Sequence, residues 1–129
     1  MSSRPTEGET RTYERTFTKG DVEAFADVFR DTQPRHTEPD ADGRLLVHGL
    51  LTATLPTKIG GDLRVLAESM TFEFRHPVYT GEPVTCTWTF STVEARPERF
   101  DVSVEVRCEN DAGDIVLSGV LDGRIAKST

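Results

Sequence analysis

An acid and an imidazole five residues apart, Asp31 and His36 in Asp31-Thr-Gln-Pro-Arg-His36, are the first residues whose types could do chemistry. Around one water they could act as a general base and its proton-carrying partner. Further on, Leu45-Leu-Val-His-Gly-Leu-Leu51 opens a second helical pattern at the His48-Gly49 pair. The first N–H groups of a helix have no partner within it, so the Gly49 amide could hold an oxygen that carries negative charge. The competing reading is structural. In it Asp31 closes the loop after a helix, His36 lies on the surface, and Gly49 lets a helix pack closely on a sheet.

The elements that must position these groups follow from periodicity. Thr10 to Thr18 alternates as a first strand around Tyr13 and Phe17. Thr18-Lys-Gly-Asp21 resembles a capping box with Asp in the usual Glu place. Val22, Phe25, Ala26 and Phe29 then repeat as one face of a helix that should end near Asp31, because Pro34 bars continuation and pushes Gln33 extended. An acid at a helix C-terminus meets the negative end of the dipole, which would raise the Asp31 pKa, with Arg30 and Arg35 near enough to offset it. Thr37 to Gly43 reads as a turn-rich loop. Helical spacing runs from Gly49 through Leu50, Ala53, Thr54 and Thr57 to a stop at Gly60-Gly61, with Pro56 inside it to kink or shorten the helix.

The remainder alternates at a period of two. Met70, Phe72 and Phe74 lead into Val84, Cys86, Trp88 and Phe90, then Phe100, Val102, Val104, Val106 and Cys108, a turn at Asn110-Asp-Ala-Gly113, and a last strand from Ile115 to Ile125. Such alternation marks an antiparallel sheet with one face buried. The apolar helix after Gly49 is the element able to cover that face. Trp88 and the phenylalanines read as core.

With 129 residues the chain is expected to form one domain, with residues 1–8 as a loose tail. Net charge is −7, and only Lys19, Lys58 and Lys127 are lysines. Nothing there could track phosphates along a nucleic acid. An acidic, Lys-poor surface fits either a high-salt cytoplasm, which a KCl requirement for stability would show, or an ordinary acidic cytosolic protein. The polar start, Met-Ser-Ser-Arg-Pro-Thr-Glu, does not read as a secretory signal, and no apolar run approaches the ~20 residues of a membrane span. Cys86 and Cys108 do not have metal-site spacing and are expected as free thiols in a reducing cytosol.

Asp-x-x-Pro-x-His followed by Val-His-Gly-Leu-Leu resembles the MaoC-like dehydratases and (R)-specific enoyl-CoA hydratases (hydratase 2). The similarity runs from about Phe17 to the last strand. It implies an α+β hotdog fold, an antiparallel sheet wrapped around a central helix, and a homodimer or dimer-based oligomer. The activity implied is reversible hydration of trans-2-enoyl-CoA, a coenzyme A thioester, to (R)-3-hydroxyacyl-CoA, with no cofactor and no metal. The resemblance gives Asp31 and His36 the catalytic water and gives the Gly49 amide the thioester carbonyl. Gln33 departs from the family pattern, which has Asn there, and its extra methylene must move the amide head. Thr57 aligns with a family hydroxyl that could bond Asp31 or the water, or it could bond its own helix. His48 could orient the loop. Arg35, Arg44, Lys58 and Arg75 are the candidate partners for coenzyme A. The loop between His36 and His48 is shorter than in many members, which suggests a more open pocket. An acyl-CoA thioesterase of the same fold, or a non-catalytic acyl-CoA-binding module, are the alternatives.

Overall fold

The computed structural model describes residues 4–127. A first strand β1 (Thr10–Thr16) leads to helix α1 (Lys19–Phe29), the short α2 (Pro34–Thr37), α3 (Gly49–Thr52) and α4 (Thr54–Asp62). Four strands follow: β2 (Leu66–Phe74), β3 (Pro83–Ala95), β4 (Arg99–Asn110) and β5 (Ile115–Ala126). They form one antiparallel sheet in the order β1-β3-β4-β5-β2.

The alternation decides which face is covered. Val84, Cys86, Trp88 and Phe90 of β3, Val102, Val104, Val106 and Cys108 of β4, and Leu117 and Leu121 of β5 form one buried cluster with Leu51, Leu55 and Ile59 of the central helices. Cys86 and Cys108 face each other across β3 and β4 as buried free thiols. The side-chain contact with the neighbouring Cys86, together with burial, pushes the Cys108 thiol far above its ordinary range.

As Pro56 leads one to expect, the helix after Gly49 is broken, into α3 and α4 joined at Ala53. Pro56 has no N–H for the Thr52 carbonyl and its ring crowds that carbonyl, so the chain breaks one turn before it. Two expectations need correction. Gly60-Gly61 do not stop α4, which runs on to Asp62, and Arg64 then takes the left-handed conformation at φ 60°. Gly60 serves close approach instead, since a Cβ there would lie 3.2 Å from the Trp88 ring. Nor is the described part of the N-terminal segment loose. Gly8 donates to the Phe90 carbonyl at 2.8 Å and Glu7 accepts from the Val93 amide. Residues 1–3 of the expected tail lie outside the described residues.

The start of α1 matches its sequence signal. Thr18 Oγ1 accepts from the Asp21 amide at 3.1 Å, and Asp21 accepts from the Thr18 amide at 2.9 Å. Replacing Thr18 with Ala should cost about 0.5–2 kcal/mol, read as a lower denaturation midpoint at unchanged m. That helix anchors the segment carrying Asp31, so its cap acts on the site at one remove.

Strand β2 lies at an edge of the sheet and keeps apolar side chains in the open: Leu66, Met70 and Phe74 are exposed, as is Val120 beside it on β5. An apolar strip on a free strand edge is a surface that a second chain can cover.

Candidate active site

Helix α1 ends at Phe29, and Arg30 caps it in the left-handed conformation at φ 68°. Its amide donates to the Ala26 carbonyl at 2.7 Å. The chain leaves the helix axis here, so Asp31 stands beyond the last turn rather than within it. Pro34 sits at the first position of α2, where a missing N–H costs nothing, and this single turn carries His36 inward.

The structure decides His36 against a surface role, since its side chain is buried. His36 Nδ1 lies 2.7 Å from the Leu46 carbonyl oxygen. A carbonyl can only accept, so Nδ1 carries the hydrogen, and in the neutral ring Nε2 is bare. Nε2 faces Asp31 Oδ2 at 3.7 Å. That gap is too long for a direct hydrogen bond and is of the kind a bridging water spans. Leu46 was not legible as a site residue, because it acts through its backbone. The short apolar run Leu45-Leu-Val47 could have flagged it as a strand-like contact. Leu46 does form an isolated antiparallel bridge with Tyr79.

Asp31 is held from its other oxygen. Gln33 Nε2 donates to Asp31 Oδ1 at 2.9 Å, and the Gln33 backbone N–H approaches the same oxygen at 3.4 Å. The longer amide chain therefore reaches the carboxylate. The expected rise of the Asp31 pKa is overturned. The Gln33 side-chain amide, aided by its backbone N–H and the two nearby imidazoles, outweighs partial desolvation and holds the carboxyl below the usual range. The helix dipole loses because Asp31 has already left the helix.

Replacing Gln33 with Leu should move the Asp31 carboxyl titration upward, followed by carbon-13 NMR of the carboxyl group. The sign follows from linkage. A carboxyl depressed in the folded state adds stability above its unfolded pKa, and that contribution fades as pH falls through the folded value. The variant should lose this small contribution in neutral solution. An unmoved titration would show that the amide does not hold the carboxylate.

His48 is buried beneath the pair, and its ring stacks on His36 with centroids 3.7 Å apart and planes 14° apart. Donor atoms of Asp31, His36 and His48 lie within 4.8 Å of one another. Imidazole lone pairs lie in the ring plane, however, and near-parallel stacked rings do not aim theirs at a common point. The arrangement suits a water held by Asp31 and His36 better than a metal ion.

Gly49 begins α3, and among the described residues its amide donates to no protein group. A Cβ on Gly49 would lie 2.9 Å from the Phe74 ring, so the packing reading of this glycine also holds. Gly49, Phe74, Leu46, Val47, Thr52 and Val116 line part of an open cleft of about 240 Å³. Asp31 and His36 are not among its lining residues; His48, adjacent to Gly49 in the chain and stacked on His36, joins the two regions. Phe74 is the residue sequence reasoning missed here; it read as one more strand-face phenylalanine.

The remaining candidates separate. Thr57 is exposed and donates to the Thr54 carbonyl at 2.9 Å, so it bonds its own helix rather than Asp31. Arg44 is tied to Asp40 at 3.1 Å and stacks on Tyr79. Lys58 pairs with Asp62 one turn along, and Arg75 holds Glu73 and Ser118. Of these four bases, Arg35 alone makes no ion pair among the described residues.

No family model matches the chain. An (R)-specific enoyl-CoA hydratase of Rhodospirillum rubrum is 28% identical over 124 residues, covering 88% of this chain and 83% of that protein. An (R)-hydratase from A. caviae involved in PHA biosynthesis superposes with a TM-score of 0.83 at 22% identity, covering 94% of this chain and 97% of that one. A MaoC-like dehydratase from Rhodospirillum rubrum gives 0.78 at 17% identity, over 97% and 95% of the two chains. The five-stranded antiparallel sheet with its covering helices is therefore the hotdog fold of these structures.

Proposed function

We propose, from this chain's membership of the MaoC-like hotdog hydratase family, that it adds water reversibly to trans-2-enoyl-CoA to give (R)-3-hydroxyacyl-CoA. The observation that carries the reading is the Asp31–His36 pair, set 3.7 Å apart with the bare His36 Nε2 turned toward the carboxylate. Both groups can accept, so a water between them gives one hydrogen to each and turns its lone pair outward, toward carbon 3 of the substrate. Asp31 takes the water proton as the carbon–oxygen bond forms. His36 Nε2 positions the water, receives the proton across the short gap and returns it to carbon 2. One water enters, its oxygen and one hydrogen go to carbon 3, and its other hydrogen goes to carbon 2. The electrons of the double bond move meanwhile onto the thioester oxygen, where the free Gly49 amide supports the enolate. One such donor is worth about 3–4 kcal/mol in other enzymes. The cycle as written uses only these residues and water, with the coenzyme A thioester as substrate and Arg35 as the base free to meet its phosphates.

The exposed Leu66, Met70 and Phe74 edge supports a second part of the proposal, a homodimer that extends the sheet along β2. Phe74 packs on Gly49, so a partner covering this edge also shields the thioester end of the site from water. The mass in solution should be that of two chains.

Incubation with crotonyl-CoA tests the function. Loss of enoyl absorbance without thiol release is the expected result. Thiol release would make the protein a thioesterase, and binding with neither change would make it an acyl-CoA-binding module.

A further inference from the structure

Asp31 sits on a segment with little of its own to fix it. Residues 31–33 belong to no helix or strand and link the left-handed Arg30 to the single turn of α2. Among the described residues, one bond from elsewhere in the fold holds its main chain: His48 Nε2 lies 2.9 Å from the Asp31 carbonyl oxygen. The carbonyl can only accept, so His48 carries its hydrogen on Nε2, and Nδ1 is bare. Nδ1 is buried and has no hydrogen-bond partner among the described residues. A ring whose second nitrogen bonds nothing is poorly explained as a satisfied core histidine, because an apolar ring would fill the same space without leaving a buried polar atom unpaired.

The same ring is fixed on its other sides. It stacks on His36, and the Phe25 ring meets it edge-on with centroids 5.0 Å apart. The His48 carbonyl accepts the amides of Leu51 and Thr52, both at 3.0 Å, which ties the residue to the first turn of α3 and so to the neighbouring Gly49. One residue thus contacts the Asp31 main chain, the His36 ring and the helix start that presents the Gly49 amide.

We propose that His48 is a positioning residue, and that its ring N–H holds Asp31 at the distance from His36 that one water can bridge. The kinetic part rests on the hydratase reading; the geometric part does not. Two variants separate a positioning role from packing. His48→Phe keeps a flat ring against His36 and Phe25 but has no donor. His48→Gln packs less well but places an amide donor near the position of Nε2. Rates with crotonyl-CoA and thermal midpoints are measured for both. The expected order is crossed: His48→Phe melts at or above His48→Gln, yet its kcat is the lower, by about 10²-fold against the parent protein, the loss typical of a small displacement of a reacting group. Activities that simply follow the midpoints would overturn the proposal.

Nitrogen-15 NMR of the imidazoles supplies the arm that needs neither activity nor a folded variant. In the unsubstituted protein His48 should show a protonated Nε2 and a bare Nδ1, and His36 the reverse. The opposite tautomer at His48 would remove its bond to Asp31 and with it the proposal. Should the protein hydrate no enoyl thioester, the hydratase reading fails and this spectrum still decides the clamp.

Discussion

Replacing Asp31 with Asn is expected to lower kcat by about 10²–10⁴-fold, the contribution typical of a positioned general base. That corresponds to about 3–5 kcal/mol of transition-state stabilisation. The substitution keeps the shape of the side chain and an oxygen that can accept from the Gln33 amide, which now lies 2.9 Å from Oδ1. It removes the ability to take a proton from water. The carboxyl is partly exposed and its side-chain bonds within the described residues go to Gln33, so the fold should survive unchanged. The main-chain carbonyl that accepts from His48 is untouched. Rates alongside thermal midpoints check this: a large loss of kcat with at most the small drop in midpoint that the carboxylate's depressed pKa implies is expected, and an unchanged rate would take Asp31 out of the mechanism.

Replacing His36 with Phe should cost a comparable factor, about 10²–10⁴, and a measurable amount of stability as well. Phe keeps the flat ring that stacks on His48 at 3.7 Å, so the packing beneath the site is preserved. It removes Nε2, the group facing Asp31, and Nδ1–H, the donor to the Leu46 carbonyl. Leaving that partly buried carbonyl without its partner adds about 1–3 kcal/mol of destabilisation. The two variants should therefore differ in a diagnostic way: Asp31→Asn loses rate with at most a small drop in midpoint, His36→Phe loses rate and midpoint together. A His36→Phe enzyme with ordinary kcat would leave the imidazole with a structural role only.

The contrast between these residues also shows what the sequence could reveal. Strand alternation from Val84 to Cys108 was readable because burying one face of an antiparallel sheet forces a period of two, and the core is built on those residues. The capping box at Thr18 was readable because both bonds lie within four residues. Asp31 and His36 stood out by type and spacing, and the fold does bring them together. What stayed hidden depends on contacts distant in sequence or made by the backbone. The Leu46 carbonyl that sets the His36 tautomer has no side-chain signature. Phe74 reaches Gly49 only because β2 returns beside the start of α3. The direction of the Asp31 pKa was misjudged because the helix dipole is a local rule. It was overridden by an amide two residues away whose reach could not be seen before the loop was folded. Thr57 stood open between two roles in the sequence, and its own helix claims it.

The central claim is that Asp31, His36 and the Gly49 amide meet one enoyl thioester. The most direct measurement is a crystal structure of the Asp31→Asn variant soaked with 3-hydroxybutyryl-CoA. The account predicts the 3-hydroxyl within hydrogen-bond reach of both the side chain at position 31 and His36 Nε2, with the thioester oxygen on the Gly49 amide. A ligand whose hydroxyl lies away from that pair, or whose thioester oxygen meets no main-chain donor at the start of α3, would contradict it.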